Sequence, residues 1–218
     1  MKERPILFND EMVRAILDGR KTQTRRVVKD PHGLYSHMGD KSVHPAVASI
    51  VHVGEGEFEQ RAKSDAVKQQ YVTTFPFHRL RCPYGQPGDQ LWVREAFRSR
   101  RVDNLPGEVA YRADHPGEKT VPGSYGRPWK PSIHMPRWAC RLRLEVTAVR
   151  VERLQDITEV DAQAEGAGVV SFPNVDDQHT DRDRFRALWN RINGPESWDT
   201  NPWVWVVEFQ RVDSEVPS

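Results

Sequence analysis

The first apolar residues of the chain have the spacing of a short strand and then of a helix. Residues 5–8, PILF, form a continuous apolar run that predicts a buried strand. In residues 9–19, NDEMVRAILDG, the apolar side chains lie three and four positions apart, so they share one face of a helix. Asn9 or Asp10 can cap the start of this helix, and Gly19 can end it. We expect the apolar face to pack into a core.

The same two patterns return later in the chain. Alternating or continuous apolar runs predict strands at 91–97, 108–113, 139–154 and 201–212, and helical spacing predicts helices at 156–166 and 181–194. The longest strand changes phase near Ala148 and Val149, which predicts a bulge or bend. Thr158 is a good N-cap, but Asp161 stands where a capping box has Glu or Gln, so we expect an incomplete box. The last helix is expected to turn four side chains inward: Phe185, Leu188, Trp189 and Ile192.

Two segments interrupt this regular pattern. Residues 30–80 are rich in Gly, His, Ser and scattered charges, with weak strand-like runs at 46–53 and 70–77. We interpret them as an insertion, with a hairpin, in a single domain that spans residues 1–218. Residues 114–131 are rich in Pro and Gly and predict a loop. Several non-adjacent strands with a few short helices predict an α+β fold built on a small, curved mixed sheet or barrel.

Composition narrows the class of protein. The chain has 218 residues, of which 37% are hydrophobic and 29% charged, which fits a globular protein better than a disordered one. No apolar run is long enough for a membrane span, and two cysteines fit a reducing compartment, so we expect a cytoplasmic protein without a membrane partner. The net charge is only +1, but it is unevenly spread: residues 127–153 hold seven basic and two acidic side chains, and residues 156–199 hold ten acidic side chains and four arginines. The basic stretch can bind a polyanion or simply form the wet faces of secondary structure.

Residues 19–26, GRKTQTRR, are polar and basic and directly follow the first predicted helix. They can be an ordinary solvated loop, a clamp for phosphate groups, or a catalytic centre. In the third case a threonine hydroxyl acts as nucleophile only when a base removes its proton, and a lysine is such a base only when neutral. Positive charge near Lys21, which favours its neutral form, comes from Arg20, Arg25 and Arg26. We also expect Arg25 and Arg26 to contact a substrate.

Residues 129–139, WKPSIHMPRWA, combine aromatic, basic and hydroxyl side chains. Aromatic rings stack on nucleobases and basic groups bind phosphates, so the segment is a candidate nucleic-acid contact. The alternative is a surface loop braced by prolines, with its tryptophans packed on the core. A hydrolase pair of serine and histidine is not indicated, because no acid partner is identifiable. The candidate binding residues are Lys130, Ser132, His134, Arg137 and Trp138.

No cofactor or metal is predicted. The chain contains no phosphate-binding loop and no dinucleotide-binding fingerprint. Its eight histidines and two cysteines are scattered, without the paired spacing of a zinc site.

Four segments in order along the chain resemble the ASCH domain family. They are GRKTQTRR after a helix, PGDQLWV at the start of a strand, DITEVDAQAEG after a long strand, and the final WVWVVEFQRV. The family motif Gly-x-Lys-x-x-Thr-x-Arg is matched by Gly19, Lys21, Thr24 and Arg26. The longer members encoded by phages and prophages are the most similar, since they also carry stretches like residues 82–89 and 129–139. The insertion at 30–80 lies outside the resemblance.

The resemblance implies a PUA-like mixed β-barrel that binds RNA or nucleotides. Some small members of the family are amidohydrolases that remove the acyl group from N4-acetylcytidine and related cytosines with a Lys, a Thr and a Glu. These residues correspond to Lys21, Thr24 and Glu165, with Glu165 as the proton donor to the departing amine. A direct ion pair between Lys21 and Glu165 would instead favour the charged lysine and oppose its role as the base. The expected partner is a modified pyrimidine nucleoside, nucleotide or RNA, bound by a monomer. A non-catalytic binding module and a ribonuclease that uses the same basic cleft are the alternatives.

Overall fold

The fold is taken from a computed structural model, which describes residues 1–29, 47–54, 57–62, 78–99, 108–120, 128–169 and 179–212. The helices in this part of the chain are α1 (Asp10–Leu17), α2 (Glu159–Ala164) and α3 (Asp181–Asn193). The strands are β1 (Glu3–Leu7), β2 (Gln23–Val27), β3 (Val47–Gly54), β4 (Glu57–Ala62), β5 (His78–Arg81), β6 (Gln90–Arg94), β7 (Phe97–Ser99), β8 (Val109–Tyr111), β9 (Arg143–Arg153) and β10 (Trp203–Val212).

The largest sheet has five strands in the order β1-β6-β9-β10-β2. Strands β1 and β6 run parallel, and the other neighbouring pairs are antiparallel, so the sheet is mixed. With only short helices around it, this sheet confirms the predicted α+β class. In the part of the chain that the structure describes, β1 and β2 are open edges and the sheet does not close into a barrel.

The burial and pairing of the long strand β9 account for the pattern of apolar residues in its sequence. Its inward side chains near the start, Leu144 and Val146, are buried, while Thr147 is exposed. The register with β10 shifts between Glu208 and Phe209, which face Ala148 and Val146. This irregularity confirms the predicted phase change near Ala148, because a residue left out of the pairing moves the following side chains to the other face.

Strand β10 is apolar on both faces because it lies between two cores. Trp205 and Val207 belong to a core that includes Val13 and Ile16 of α1, whereas Val204 and Val206 join the side chains of α2 and α3 on the opposite face. Since successive side chains of a strand point to opposite faces, a strand covered on both sides reads as a continuous apolar run. The two cores therefore lie on opposite faces of β10.

Side-chain caps fix where the helices begin. Asn9 accepts a hydrogen bond from the backbone N–H of Met12, as the sequence predicted. The expectation of an incomplete capping box at α2 was wrong: Thr158 and Asp161 form both bonds of the box. Aspartate can replace glutamate here because its shorter carboxylate still reaches the backbone N–H of Thr158, at 3.3 Å.

Other sequence predictions are corrected in detail. Ile192 does not face inward but is 46% exposed at the end of α3. The strand predicted at 108–113 is shorter, because β8 is followed by a 3-10 turn at Arg112–Asp114.

In the segment 30–80, β3, β4 and β5 form an antiparallel three-stranded sheet, which extends the predicted hairpin. The run at 70–77 lies outside the described residues. None of the helices in the described part of the chain is long and apolar enough to cross a membrane.

Candidate functional site

Residues 19–26 are not a solvated loop. Gly19 ends α1 with a φ of +73°, and the chain then enters β2, which pairs with β10. Lys21, Thr24 and Arg25 are only 2%, 1% and 3% exposed. Burying two cations and a hydroxyl so deeply is costly unless they are paired, so their partners are the key to the segment.

The end of α2 is held directly against this segment. The N–H of Thr22 donates to the carbonyl of Ala164, and Lys21 and Glu165 form an isolated antiparallel bridge. Gly166 follows with a φ of +77°, and a β-carbon there would lie 3.1 Å from that of Ala15 and 3.3 Å from that of Lys21. A glycine is therefore required both by the backbone conformation and by the close approach.

Lys21 and Glu165 form a buried ion pair. Lys21 Nζ donates to Glu165 Oε2 at 2.8 Å and to the Glu165 carbonyl oxygen at 2.9 Å. The second carboxylate oxygen, Oε1, accepts from Arg25 Nη1 at 3.2 Å. Both oxygens of Glu165 thus accept from nitrogen donors, which holds the carboxylate in a fixed orientation.

Arg25 connects this pair to further acidic groups. Its Nη2 atom contacts the carboxylates of Glu152 and Asp161, while Asp161 also accepts from Gln23. Asp161 is the same residue that completes the capping box of α2. The network therefore ties the N-terminal end of α2, and with it Glu165, to strand β2.

The environment of Lys21 lowers the pKa of its amine. Burial lowers the pKa of Lys21, and the positive charges of Arg26 and Arg25 lower it further. Glu165 acts in the opposite direction, through its charge and its hydrogen bond, but burial outweighs it. The pKa of Lys21 is therefore below that of an ordinary lysine even with the ion pair in place.

Thr24 and Glu165 line a common cavity of about 200 Å³, which we call the small cavity. Arg25, Arg26 and Tyr84 line it as well, and α3 supplies its other wall with residues that include Trp189. Lys21 does not line this cavity, but it donates a hydrogen bond to Glu165, which does. The structure thus brings Lys21 and Glu165 into direct contact and places Thr24 beside the same cavity as Glu165.

Two lining residues of the small cavity carry buried donors. In the described part of the chain, Arg25 Nε and Trp189 Nε1 are buried and have no hydrogen-bond partner. Trp189 was predicted only as a core residue, and its apolar spacing in α3 gives no sign of a cavity. An unpaired buried N–H is unfavourable by about 1–3 kcal/mol, so a ligand with acceptor atoms gains by meeting it after a small side-chain shift.

A second cavity of about 460 Å³, the large cavity, adjoins the first. Met12, Arg26 and Ile192 line both. Of the predicted binding residues in 129–139, Lys130 and Ser132 line the large cavity. The remaining three, His134, Arg137 and Trp138, line neither cavity and are exposed.

Arg137 and Trp138 occupy a different surface. Arg137 pairs with Glu3, with its Nε donating to Glu3 Oε2 at 2.7 Å, and lies 5.9 Å from the ring centre of Trp92. Trp138 is 57% exposed. In the described residues no group of three or more His, Cys, Asp or Glu side chains is arranged to hold a metal ion.

Comparison with known proteins gives no relative. No family model, no curated protein and no solved structure matches the chain. Function must therefore be inferred from the site itself.

Replacing Gly166 by alanine tests the contact between α2 and the Lys21 segment. We expect Gly166→Ala to lower the free energy of unfolding by roughly 1–2 kcal/mol for the left-handed backbone, plus about 1–3 kcal/mol because the new methyl group crowds Ala15 and Lys21. Urea unfolding followed by circular dichroism measures the loss.

Gly19→Ala is the matched control for this variant. Gly19 has nearly the same φ, but no atom lies within 4 Å of the position of a β-carbon there. It should show the backbone effect alone. Equal losses for the two variants would contradict a close approach of α2 to Lys21.

Proposed function

We propose that this protein is an amidohydrolase of the ASCH type, with a PUA-like fold, that removes the acyl group from N4-acylated cytosine in a nucleoside or nucleotide. One observation carries the proposal: a lysine with a lowered pKa is paired with Glu165 beside a small cavity that Thr24 also lines. Amide hydrolysis needs a nucleophile and a base: Thr24 lines the small cavity, and Lys21 does not line it but is bonded to Glu165, which does. The mixed sheet and the order of the four family-like segments support the fold assignment.

Thr24 is the proposed nucleophile and Lys21 its base. The Thr24 hydroxyl oxygen attacks the acyl carbon while the neutral Lys21 amine takes the hydroxyl proton. The bond from the acyl carbon to N4 then breaks, and the Lys21 ammonium returns the proton to the departing nitrogen. Water hydrolyses the resulting threonine ester, which releases the carboxylic acid and restores the hydroxyl. The same group acts first as base and then as acid, so no second proton donor is needed.

Glu165 is assigned a positioning role rather than the proton-donor role suggested by the sequence. Both oxygens of Glu165 are already engaged as acceptors, Oε2 with the Lys21 amine and Oε1 with Arg25. Its bond to Nζ fixes the direction of the lysine amine. Glu165 also stabilises the ammonium that forms when Lys21 takes the proton, as the buried aspartate does in a serine protease triad.

The small cavity suits a single pyrimidine ring. Its volume of about 200 Å³ is below the usual range for pockets that hold whole ligands, about 300–1,000 Å³. Cytosine presents a carbonyl oxygen and a ring nitrogen as acceptors, and two residues that line the cavity, Arg25 and Trp189, each carry a buried N–H without a hydrogen-bond partner in the described part of the chain. Aromatic and aliphatic side chains of α3 offer surfaces against the ring faces.

A nucleotide-binding module without chemistry is the second candidate. The large cavity supports it, because Arg26 and Lys130 line a concave surface that can hold an anion whether or not hydrolysis follows. The distinguishing feature is the lowered pKa of Lys21, which pure binding does not require.

The test is hydrolysis of N4-acetylcytidine by the full chain, with unmodified RNA assayed in parallel. We expect release of acetate and cytidine, with kcat/KM rising with pH and levelling off above an apparent pKa below that of an ordinary lysine. The rise follows because only neutral Lys21 can accept the threonine proton, and its lowered pKa brings that form to lower pH.

Two outcomes of this assay would contradict the hydrolase. If N4-acetylcytidine binds but is not hydrolysed, the protein is a binding module without catalysis. Cleavage of the unmodified RNA strand would indicate a ribonuclease instead.

A further inference from the structure

The large cavity is unused by the proposed chemistry, and it adjoins the small one. Met12, Arg26 and Ile192 line both, so the two cavities lie side by side. A nucleotide is larger than its base, and the small cavity has room for little more than the base. The sugar and any phosphate of a bound nucleotide must therefore lie outside the small cavity.

We propose that the large cavity binds the phosphate of a nucleotide whose base occupies the small cavity. This inference rests on the proposed function for the position of the base. It specifies the substrate class: a phosphorylated nucleotide or a nucleic-acid strand is preferred over a free nucleoside.

Charge in the large cavity favours an anion. Arg26, Arg112 and Lys130 line it together with the acidic Asp10. Asp10 is paired with Arg112, so these two charges compensate each other. In the part of the chain that the structure describes, Arg26 and Lys130 have no carboxylate partner, which leaves two cations to attract a phosphate.

Arg26 is fixed at the junction of the two cavities. Its Nη2 donates to the Leu7 carbonyl at 2.7 Å, and its guanidinium lies 5.4 Å from the ring centre of Phe8. The bond to Leu7 uses only one of the five N–H donors of the guanidinium. The remaining N–H groups include a parallel pair that can bind a phosphate. A group held in place in this way binds with a smaller loss of conformational entropy.

The wall that carries Lys130 is anchored to the protein core. Lys130 and Phe97 exchange backbone hydrogen bonds of 2.9 and 3.1 Å, and Trp129 is buried with its indole N–H on the carbonyl of Glu118. Met135, further along the same segment, is 1% exposed. These anchors keep Lys130 and Ser132 at the cavity, with the ammonium and the hydroxyl as additional donors for phosphate oxygens.

Isothermal titration calorimetry of the full chain with cytidine and cytidine 5′-monophosphate tests the proposal without requiring turnover. We expect the monophosphate to bind at least about tenfold more tightly, which corresponds to roughly one charge-assisted hydrogen bond. Lys130→Ala should remove most of this preference, and Ser132→Ala part of it. Affinity for cytidine itself should change little in both variants, because neither residue lines the small cavity.

Lys119→Ala is the matched control, since Lys119 is an exposed lysine that lines neither cavity. It should retain the full preference. Equal affinity for the nucleoside and the monophosphate, no binding of either at millimolar concentration, or a preference that persists in both Lys130→Ala and Ser132→Ala would overturn the proposal.

A short cytidine oligonucleotide identifies the source of the phosphate. If the oligonucleotide binds no more tightly than the monophosphate, the site holds a terminal phosphate. If it binds more tightly and Lys130→Ala removes that gain in affinity, the site holds the phosphate backbone of a strand. If the protein hydrolyses N4-acetylcytidine but shows no preference for phosphate, only the phosphate site is contradicted. If it binds the monophosphate more tightly but does not hydrolyse N4-acetylcytidine, only the proposed catalysis is contradicted.

Discussion

Replacing Thr24 with valine is expected to abolish hydrolysis of N4-acetylcytidine, lowering kcat by at least roughly a thousandfold, as loss of the nucleophile does in serine hydrolases. Valine has nearly the shape of threonine but no hydroxyl. It is also well suited to a strand, and Thr24 lies inside β2 opposite Val207 of β10. The expected loss therefore reflects missing chemistry rather than a damaged fold. Steady-state release of cytidine, followed by chromatography, measures it.

Thr24→Ser is the matched control for this prediction. Serine keeps the hydroxyl and should retain measurable turnover, although a small gap left by the lost methyl group lowers it. Both variants should bind cytidine 5′-monophosphate like the wild type and unfold at similar urea concentrations. Hydrolysis that continues in the valine variant would show that Thr24 is not the nucleophile, and water or another hydroxyl would have to take its place.

Local sequence patterns predicted the elements that carry the site. The spacing of apolar residues located α1, and Asn9 does cap it. The phase change near Ala148 predicted the register shift of β9 against β10. These features follow from interactions within a few residues or from the period of one strand, so the sequence alone contains them.

The burial of Lys21 and of residues 23–25 could not be predicted in the same way. Polar composition indicated a solvated loop, whereas Lys21 and Arg25 are buried because Glu165 lies against them. Lys21 and Glu165 are 144 positions apart, and their contact depends on how α2 docks on the sheet. Only the resemblance to a family suggested that they belong together, since no local rule connects positions so distant.

The cavities were hidden for a related reason. Helical spacing marked Trp189 and Ile192 as inward, but a single apolar face cannot distinguish a filled core from the wall of a cavity. Ile192 proved half exposed because α3 ends beside the junction of the two cavities. Residues 129–139 contain two short 3-10 turns, which have no regular period of apolar residues. The sequence prediction therefore relied on composition and assigned Lys130 and Trp138 to one binding surface, although only Lys130 lines the large cavity.

Glu165→Ala is expected to be the most destabilising single change at the site. It leaves Lys21 buried with the carbonyl oxygen of residue 165 as its remaining hydrogen-bond acceptor. It also removes one of the carboxylates that contact Arg25, which keeps Glu152 and Asp161. Removing one member of a buried pair typically lowers the free energy of unfolding by about 3–5 kcal/mol. For a chain of this length each kcal/mol lowers Tm by roughly 2–4 °C. Thermal unfolding followed by circular dichroism measures the effect.

The pH dependence of that loss identifies its cause. Without Glu165 the pKa of Lys21 should fall further below its value in the unfolded chain, because the carboxylate is the group that raises it. Between those two values the unfolded state binds more protons, so the stability of Glu165→Ala should recover as the pH rises. Lys21→Met added to Glu165→Ala should restore part of the stability at neutral pH by removing the stranded cation. A loss that is independent of pH and unchanged by Lys21→Met would mean that Glu165 supports the fold through packing alone, and its role in orienting the Lys21 amine would have to be abandoned.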